Sequence, residues 1–192
     1  MTCELDIARA VAESVLPSPT VWLNSQYIAC RISGVGCAWR EGPQEFVIRD
    51  KQEWCSAIFL RRCLGLPLVW QHPSTGTLTS KYFGENICGY CLYSYVHPEL
   101  DEPWGVFRVL DANAATILAS GDCDTSPGVV VDDNCSVTEI DGKKLLCEGL
   151  PKLLDHLAIC SKGVWTREGE SGVLVTEDTA NTQDADGASA SA

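Results

Sequence analysis

The stretch ICGYCLYSYVHPELDEPWGVFRVLDANAATILASG, Ile87–Gly121, carries the reading of the fold. Ile87 to Val96 and Gly105 to Leu110 read as strands, dense in aromatic and β-branched residues. Asp111 then caps a helix, DANAATILAS, which Gly121 stops. Two strands in succession before one helix is not the regular alternation of a parallel α/β domain. Upstream, Leu66 to Gln71 (LPLVWQ) predicts a short buried strand that delivers His72 at its end. Before it, Lys51 to Leu64 predicts a helix, with Asp50 as N-cap, Trp54, Ile58 and Arg61/Arg62 at helical spacing, and Gly65 as its stop. Tyr27 to Trp39 suits one long strand bent or bulged at Gly34 and Gly36. Downstream, strands are expected at Gly128 to Asp132, Cys135 to Ile140 and Lys143 to Glu148, the last two joined by a tight Asp141-Gly142 hairpin. Asp155 to Ile159 is apolar and fits either a strand or a helix. The expected fold is β-rich α+β, a closed or partly open β-barrel wrapped by a few helices.

The 192 residues suit one domain plus a tail, since a chain of this size buries an adequate core without staples. Acids outnumber bases by 26 to 14, a net charge of −12, which disfavours nucleic acid or an anionic membrane as main partner. No apolar run approaches the roughly 18–20 residues that cross a bilayer, so a soluble protein is expected. Six of the acids fall between Glu168 and Ala192, where there is no Lys or Arg, so residues 1–167 hold 20 acids against 14 bases. Thr179 to Ala192 (TANTQDADGASASA) has too little apolar surface to offset the entropy of ordering. The expected organisation is an N-terminal extension over 1–24, a domain over 25–167 and an acidic flexible tail over 168–192.

The N-terminus carries acids at Glu4 and Asp6 and lacks a basic segment followed by a pure apolar stretch, so the eleven cysteines read as reduced thiols of an intracellular protein. Cys30, Cys37, Cys55, Cys63, Cys88, Cys147 and Cys160 sit among apolar neighbours, where a thiol acts as a small hydrophobe. Cys88 and Cys91 form the one CxxC pair, the basis of a thiol-dependent or zinc-binding alternative; neither a metal nor a cofactor is expected.

Three histidines hold most of the chemistry. His72 (WQHPSTGTLTS) leaves a buried strand and enters a Ser/Thr/Gly loop, where scaffold would aim it at a cleft. His97 (VHPELDEP) belongs to a solvated Pro- and acid-rich loop. His156 (LLDHLAIC) lies among apolar residues and needs a partner if buried.

Taken in order, RISGVGCAWREGPQEFVIRDKQEW from Arg31, GLPLVWQHPSTGTLT, ICGYCLYSYV, VFRVLDANAATILASG, DTSPGVVV and LLDHLAICSKG resemble a family of tailed-phage proteins related to prohead maturation proteases. The shared pattern is a strand ending in His-Pro, a D-x-x-A-x-x-I helix closed by Gly, an S-x-G strand and an H-L-A motif about thirty residues on. It spans roughly residues 25–165. The resemblance implies the herpesvirus-assemblin-like fold and a serine endopeptidase that processes scaffold and major capsid proteins inside the assembling head, in the host cytoplasm, with self-association. It implies Ser126 as nucleophile, His72 as general base, and His156 as the third member that fixes the tautomer of His72, with Asp155 or Asp111 as alternative orienting acids. Pro127 has no N–H to offer an oxyanion, and the resemblance implies that a basic segment after the third histidine orders that site; Lys162 and Arg167 are available there, Arg167 being favoured for its forked donors, together with Gly128. The competing expectation is a catalytically inactive capsid-assembly or scaffold-associated protein of the same fold.

Overall fold

The computed structural model describes residues 2–131, 135–167 and 170–176. The elements run α1 (Glu4–Ala12), β1 (Thr20–Trp22), β2 (Ser25–Arg31), β3 (Gly36–Arg40), β4 (Glu45–Arg49), α2 (Lys51–Trp54), α3 (Ala57–Cys63) and β5 (Pro67–Trp70). They continue with α4 (Ser80–Asn86), β6 (Ile87–Val96), β7 (Pro103–Val109), α5 (Ala112–Ser120), β8 (Asp124–Val130), β9 (Ser136–Ile140), β10 (Lys143–Glu148) and β11 (Leu153–Cys160). Seven strands form one sheet, β1-β2-β7-β6-β5-β11-β8, and four form a second, β3-β4-β10-β9. Both are mixed, with β5 parallel to β11 and β4 parallel to β10. The protein is therefore β-rich α+β.

Local chemistry accounts for most boundaries. Asp111 Oδ1 accepts the Ala114 N–H at 2.8 Å to start α5, and Gly121 ends it at φ 73°. Asp141 and Gly142 both take positive φ, 52° and 73°, the conformation a two-residue hairpin needs to match strand twist. The ambiguous segment at Asp155 is strand β11, because it is inserted between β5 and β8 and both its edges are paired.

Two expected elements are each divided. The helix over Lys51–Leu64 is two helices, because Ser56 acts as a second N-cap and accepts the Phe59 N–H at 3.2 Å. The break lets Trp54 and Phe59 enter the core together, ring centroids 4.9 Å apart. The long strand over Tyr27–Trp39 is β2 and β3, in different sheets. The ladder ends after Arg31, where the amides of Ile32 and Ser33 both turn to the Pro103 carbonyl at 2.9 and 3.3 Å, and a regular strand does not point successive amides at one acceptor.

The expected closed barrel is not formed among the described residues, since no strand ladder joins β8 back to β1 or β2. The free half of β2 is instead met by the segment 172–174. Cys30 bridges Val173, Leu174 N–H donates to the Ala29 carbonyl at 2.9 Å, and Arg31 N–H donates to the Gly172 carbonyl at 2.7 Å. Side chains span the remaining gap. Thr125 Oγ1 donates to the Arg31 carbonyl at 2.6 Å, and the Arg31 guanidinium reaches Asp124 at 3.2 Å and Glu102 at 3.8 Å. Three buried polar side chains, Arg31, Asp124 and Glu102, cluster at this seam where a ladder would need only backbone.

The ends of the chain pack on the body. Within the expected N-terminal extension, helix α1 lays Ile7, Ala8 and Val11 against Tyr27, Ala29, Trp104 and Val106. At the other end the body continues past Arg167, because Val173 is 4% exposed in the main core. Backbone bonds from Leu174 to Ala29 and from Thr176 to Ser18 hold the segment beside these apolar contacts. The small-residue tail from Thr179 lies outside the described residues.

Candidate active site

Three neighbouring strands carry the three expected residues. His72 follows β5, His156 lies within β11 and Ser126 within β8, and these strands are adjacent in the order β5-β11-β8. Gln71 donates its N–H to the Ile159 carbonyl at 3.1 Å and takes φ 53°, which turns the chain so that His72 leaves the sheet. Ser126 pairs with Ala158 and Gly128 with His156, so by strand alternation the Ser126 side chain and the His156 ring share a face. The His156 ring then lies over Gly128. A Cβ at position 128 would sit 2.1 Å from His156 Cε1, so no larger residue fits without moving the ring. Gly128→Ala is expected to lower unfolding free energy by about 1–3 kcal/mol, the usual cost of overpacking, measured as a shift in denaturation midpoint.

The histidines form a chain that ends on a carboxylate. His72 Nδ1 and His156 Nε2 are 2.8 Å apart, and His156 Nδ1 is 2.8 Å from Asp155 Oδ2. In the neutral tautomer that donates from Nδ1 to the Asp155 carboxylate, His156 accepts with Nε2. His72 therefore donates from Nδ1, and its Nε2 lone pair is left free. Burial of its inner edge, then the neighbouring His156 ring, holds His72 below the ordinary histidine value. His156 is wholly buried, and this chain supplies the partners it needs. A local irregularity brings Asp155 into place. The β11–β8 register shifts between Leu154 and His156, leaving Asp155 as an extra, unpaired residue whose carboxylate can turn to its neighbour's ring. The same Oδ2 accepts the Leu78 N–H at 2.8 Å, which ties down the loop that begins at His72. Of the two acids open at sequence level, Asp155 touches His156, whereas Asp111 is spent capping α5.

Ser126, 9% exposed, and His72 line one cavity of about 260 Å³, together with Arg40, Arg49, Gly128 and Trp165. No hydrogen bond joins Ser126 to His72 among the described residues; such contacts often tighten only when substrate binds. Arg49 is buried. Its Nε donates to Glu148 at 2.8 Å, its guanidinium donates to Ser33 Oγ at 2.7 Å, and it lies 3.9 Å from the Trp54 ring centroid. Arg40 donates to the other Glu148 oxygen at 2.9 Å and pairs with Glu45, which also holds Lys144 at 2.6 Å.

Arg167 does not reach this cavity. It pairs with buried Glu102 and with Glu170, and lines a separate groove. The acid at Glu102 draws it to the β2–β8 seam, so the cations beside Ser126 are Arg40 and Arg49. Sequence reading missed both arginines. A signal was present in EFVIR, Glu45–Arg49, where Glu45, Val47 and Arg49 alternate inward, yet their partner Glu148 comes from the parallel pairing of β4 with β10.

The remaining candidates are structural. His97 Nδ1 accepts the amides of Glu99 and Leu100, both at 3.3 Å, and so staples its own loop rather than standing free in solvent. Cys88 and Cys91 are buried in β6, and burial pushes the Cys88 thiol up to about 12, which disfavours the thiolate that zinc or thiol chemistry requires. No cluster of three metal-ligating side chains occurs among the described residues.

No family model matches the chain, and neither the curated proteins nor the solved structures compared with it contain a match.

Proposed function

We propose that this protein is a serine endopeptidase of the prohead-maturation type. The single observation that carries the reading is the hydrogen-bonded chain His72–His156–Asp155, which engages His72 through Nδ1 and leaves its Nε2 without a partner, with His72 and Ser126 lining the same cavity. Ser126 Oγ attacks the carbonyl carbon of the scissile peptide and passes its proton to His72 Nε2. The imidazolium so formed is stabilised through His156 by Asp155. His72 then returns the proton to the departing amine, the C–N bond breaks and an acyl-enzyme remains. Water, deprotonated by His72, releases the acid and restores Ser126. Arg40 and Arg49 supply positive charge for the oxyanion from the second sheet, which answers the missing N–H of Pro127. In this reading the curled sheet with its seam at β2 and β8 is an assemblin-like barrel, and the substrates are the scaffold and major capsid proteins of an assembling phage head. Self-association and action within the prohead in the host cytoplasm belong to the same proposal.

A fluorophosphonate tests the chemistry without knowledge of the substrate. It should modify Ser126, located by peptide mapping, and the modification should vanish in Ser126→Ala. Labelling that persists in that variant overturns the assignment. The second reading, an inactive capsid-assembly protein of the same fold, draws on the absence of a Ser126–His72 hydrogen bond among the described residues, and it predicts no labelling at all.

The pH dependence has a definite sign. A general base works when neutral, and His72 is held below the usual histidine value of about 6.5. The acylation rate should therefore stay level as pH falls from 8 to about 6.5 and decline only below it, read from fluorophosphonate labelling rates across pH.

A further inference from the structure

The second sheet begins at β3, which among the described residues pairs only with β4. Its other edge borders a groove of about 570 Å³, lined by Cys37, Ala38 and Trp39 on one side and Gly163, Val164 and Trp165 on the other. Val164 and Trp165 also line the cavity of Ser126 and His72, and so does Arg40, the last residue of β3. The strand thus leads from the groove to the candidate nucleophile. The edge is unguarded. Natural edge strands are blunted by proline, bulges or lysine, but GCAWR contains no proline or lysine and pairs with β4 in unbroken register from Gly36 to Arg40. Backbone N–H and C=O groups on such an edge are a template for an added strand. At about 3.4 Å per residue, five residues offer a track of roughly 17 Å. The far wall is fixed: Trp165 packs so tightly on Gly34 that a Cβ there would lie 2.5 Å from the ring.

We propose that this groove takes an extended segment of a polypeptide substrate as a strand added along the free edge of β3, delivering its scissile bond to the cavity beyond Trp165. The delivery step rests on the peptidase reading, whereas binding does not. Main-chain pairing supplies affinity for many sequences; Val35, Trp39 and Trp165 offer apolar contact to side chains turned inward, while Glu41, Lys162 and Arg167 add charge to the same lining. A folded loop cannot lie along such an edge, so the substrate segment is an unfolded linker or terminus.

Cys37 is exposed in the groove and serves as the reporter, with exposed Cys3, on the N-terminal segment, as the control. In the full-length Ser126→Ala chain, maleimide alkylation of each cysteine is timed by peptide mapping, with and without a millimolar mixture of randomised decapeptides. A randomised mixture is suitable because backbone pairing tolerates sequence. Alkylation of Cys37 should slow tenfold or more while that of Cys3 does not change. An unchanged rate at Cys37, or equal slowing at both cysteines, overturns the proposal. Protection of Cys37 without fluorophosphonate labelling of Ser126 in the unsubstituted chain would keep the groove and remove the peptidase. Labelling without protection would do the reverse.

Discussion

Asp155→Ala is expected to slow acylation of Ser126 by on the order of 10³–10⁴, as loss of a member does in other triads. Asp155 Oδ2 is the terminal acceptor for His156 and also holds the Leu78 amide. Without it nothing selects the His156 tautomer with the proton on Nδ1. If the proton moves to Nε2, His156 and His72 present donors to each other across 2.8 Å, and His72 must shift its own proton to Nε2, which removes the base. The loop after His72 is released as well. Asp155→Asn separates these effects, because an amide oxygen facing Leu78 keeps both hydrogen bonds and loses only the charge. It should retain the native denaturation midpoint within about 0.5 kcal/mol and slow acylation by about 10–100-fold, a difference of roughly 1.4–2.7 kcal/mol in stabilising the imidazolium. Its pH profile carries the decisive sign. The carboxylate favours protonated His72, so removing the charge lowers the His72 pKa and moves the acid limb of the profile to lower pH. An acid limb that stays in place would assign Asp155 a purely structural part. Labelling rates across pH for the three chains provide the measurement.

Glu148→Ala is the substitution with the largest expected effect on stability, about 3–5 kcal/mol less unfolding free energy. Glu148 is 1% exposed at its side chain and divides its two oxygens between Arg40 and Arg49. Arg49 is as deeply buried, and burial already pulls its guanidinium below its ordinary value, against the pull of Glu148. Removing the acid leaves a buried cation with Ser33 and two tryptophan faces, none of them a counter-ion. The penalty is that of an orphaned charge rather than the worth of the pair. Arg49→Met combined with Glu148→Leu should accordingly recover most of the loss, since an apolar pair of similar volume needs no compensation. Denaturant midpoints of the single and double variants measure this. The double variant also lacks one of the two cations beside Ser126, so it should fold and yet label slowly.

The sequence alone determined what depends on near neighbours along the chain. The Asp111 cap, the stop at Gly121, the Asp141-Gly142 turn and the strand Ile87–Val96 all rest on interactions within a few residues, and each lies where local chemistry placed it. The same holds for His72 at the end of a strand. Tertiary structure decided everything that requires two distant segments to meet. That β5, β11 and β8 are neighbours, and so bring residues 72, 156 and 126 to one face, is a matter of strand order, which alternation along each strand does not encode. The cations beside Ser126 depend on the parallel register of β10 on β4, which sets Glu148 opposite Arg49, while Glu102 at the seam diverts Arg167 elsewhere. Between Asp155 and Asp111 the one-residue register shift in β11 decided, because only a bulge lets a strand residue reach the ring of its own neighbour. The open seam was decided by pairing too, since β2 shares its edge between β1 and residues 172–174, and nothing in its own seven residues says which partner arrives.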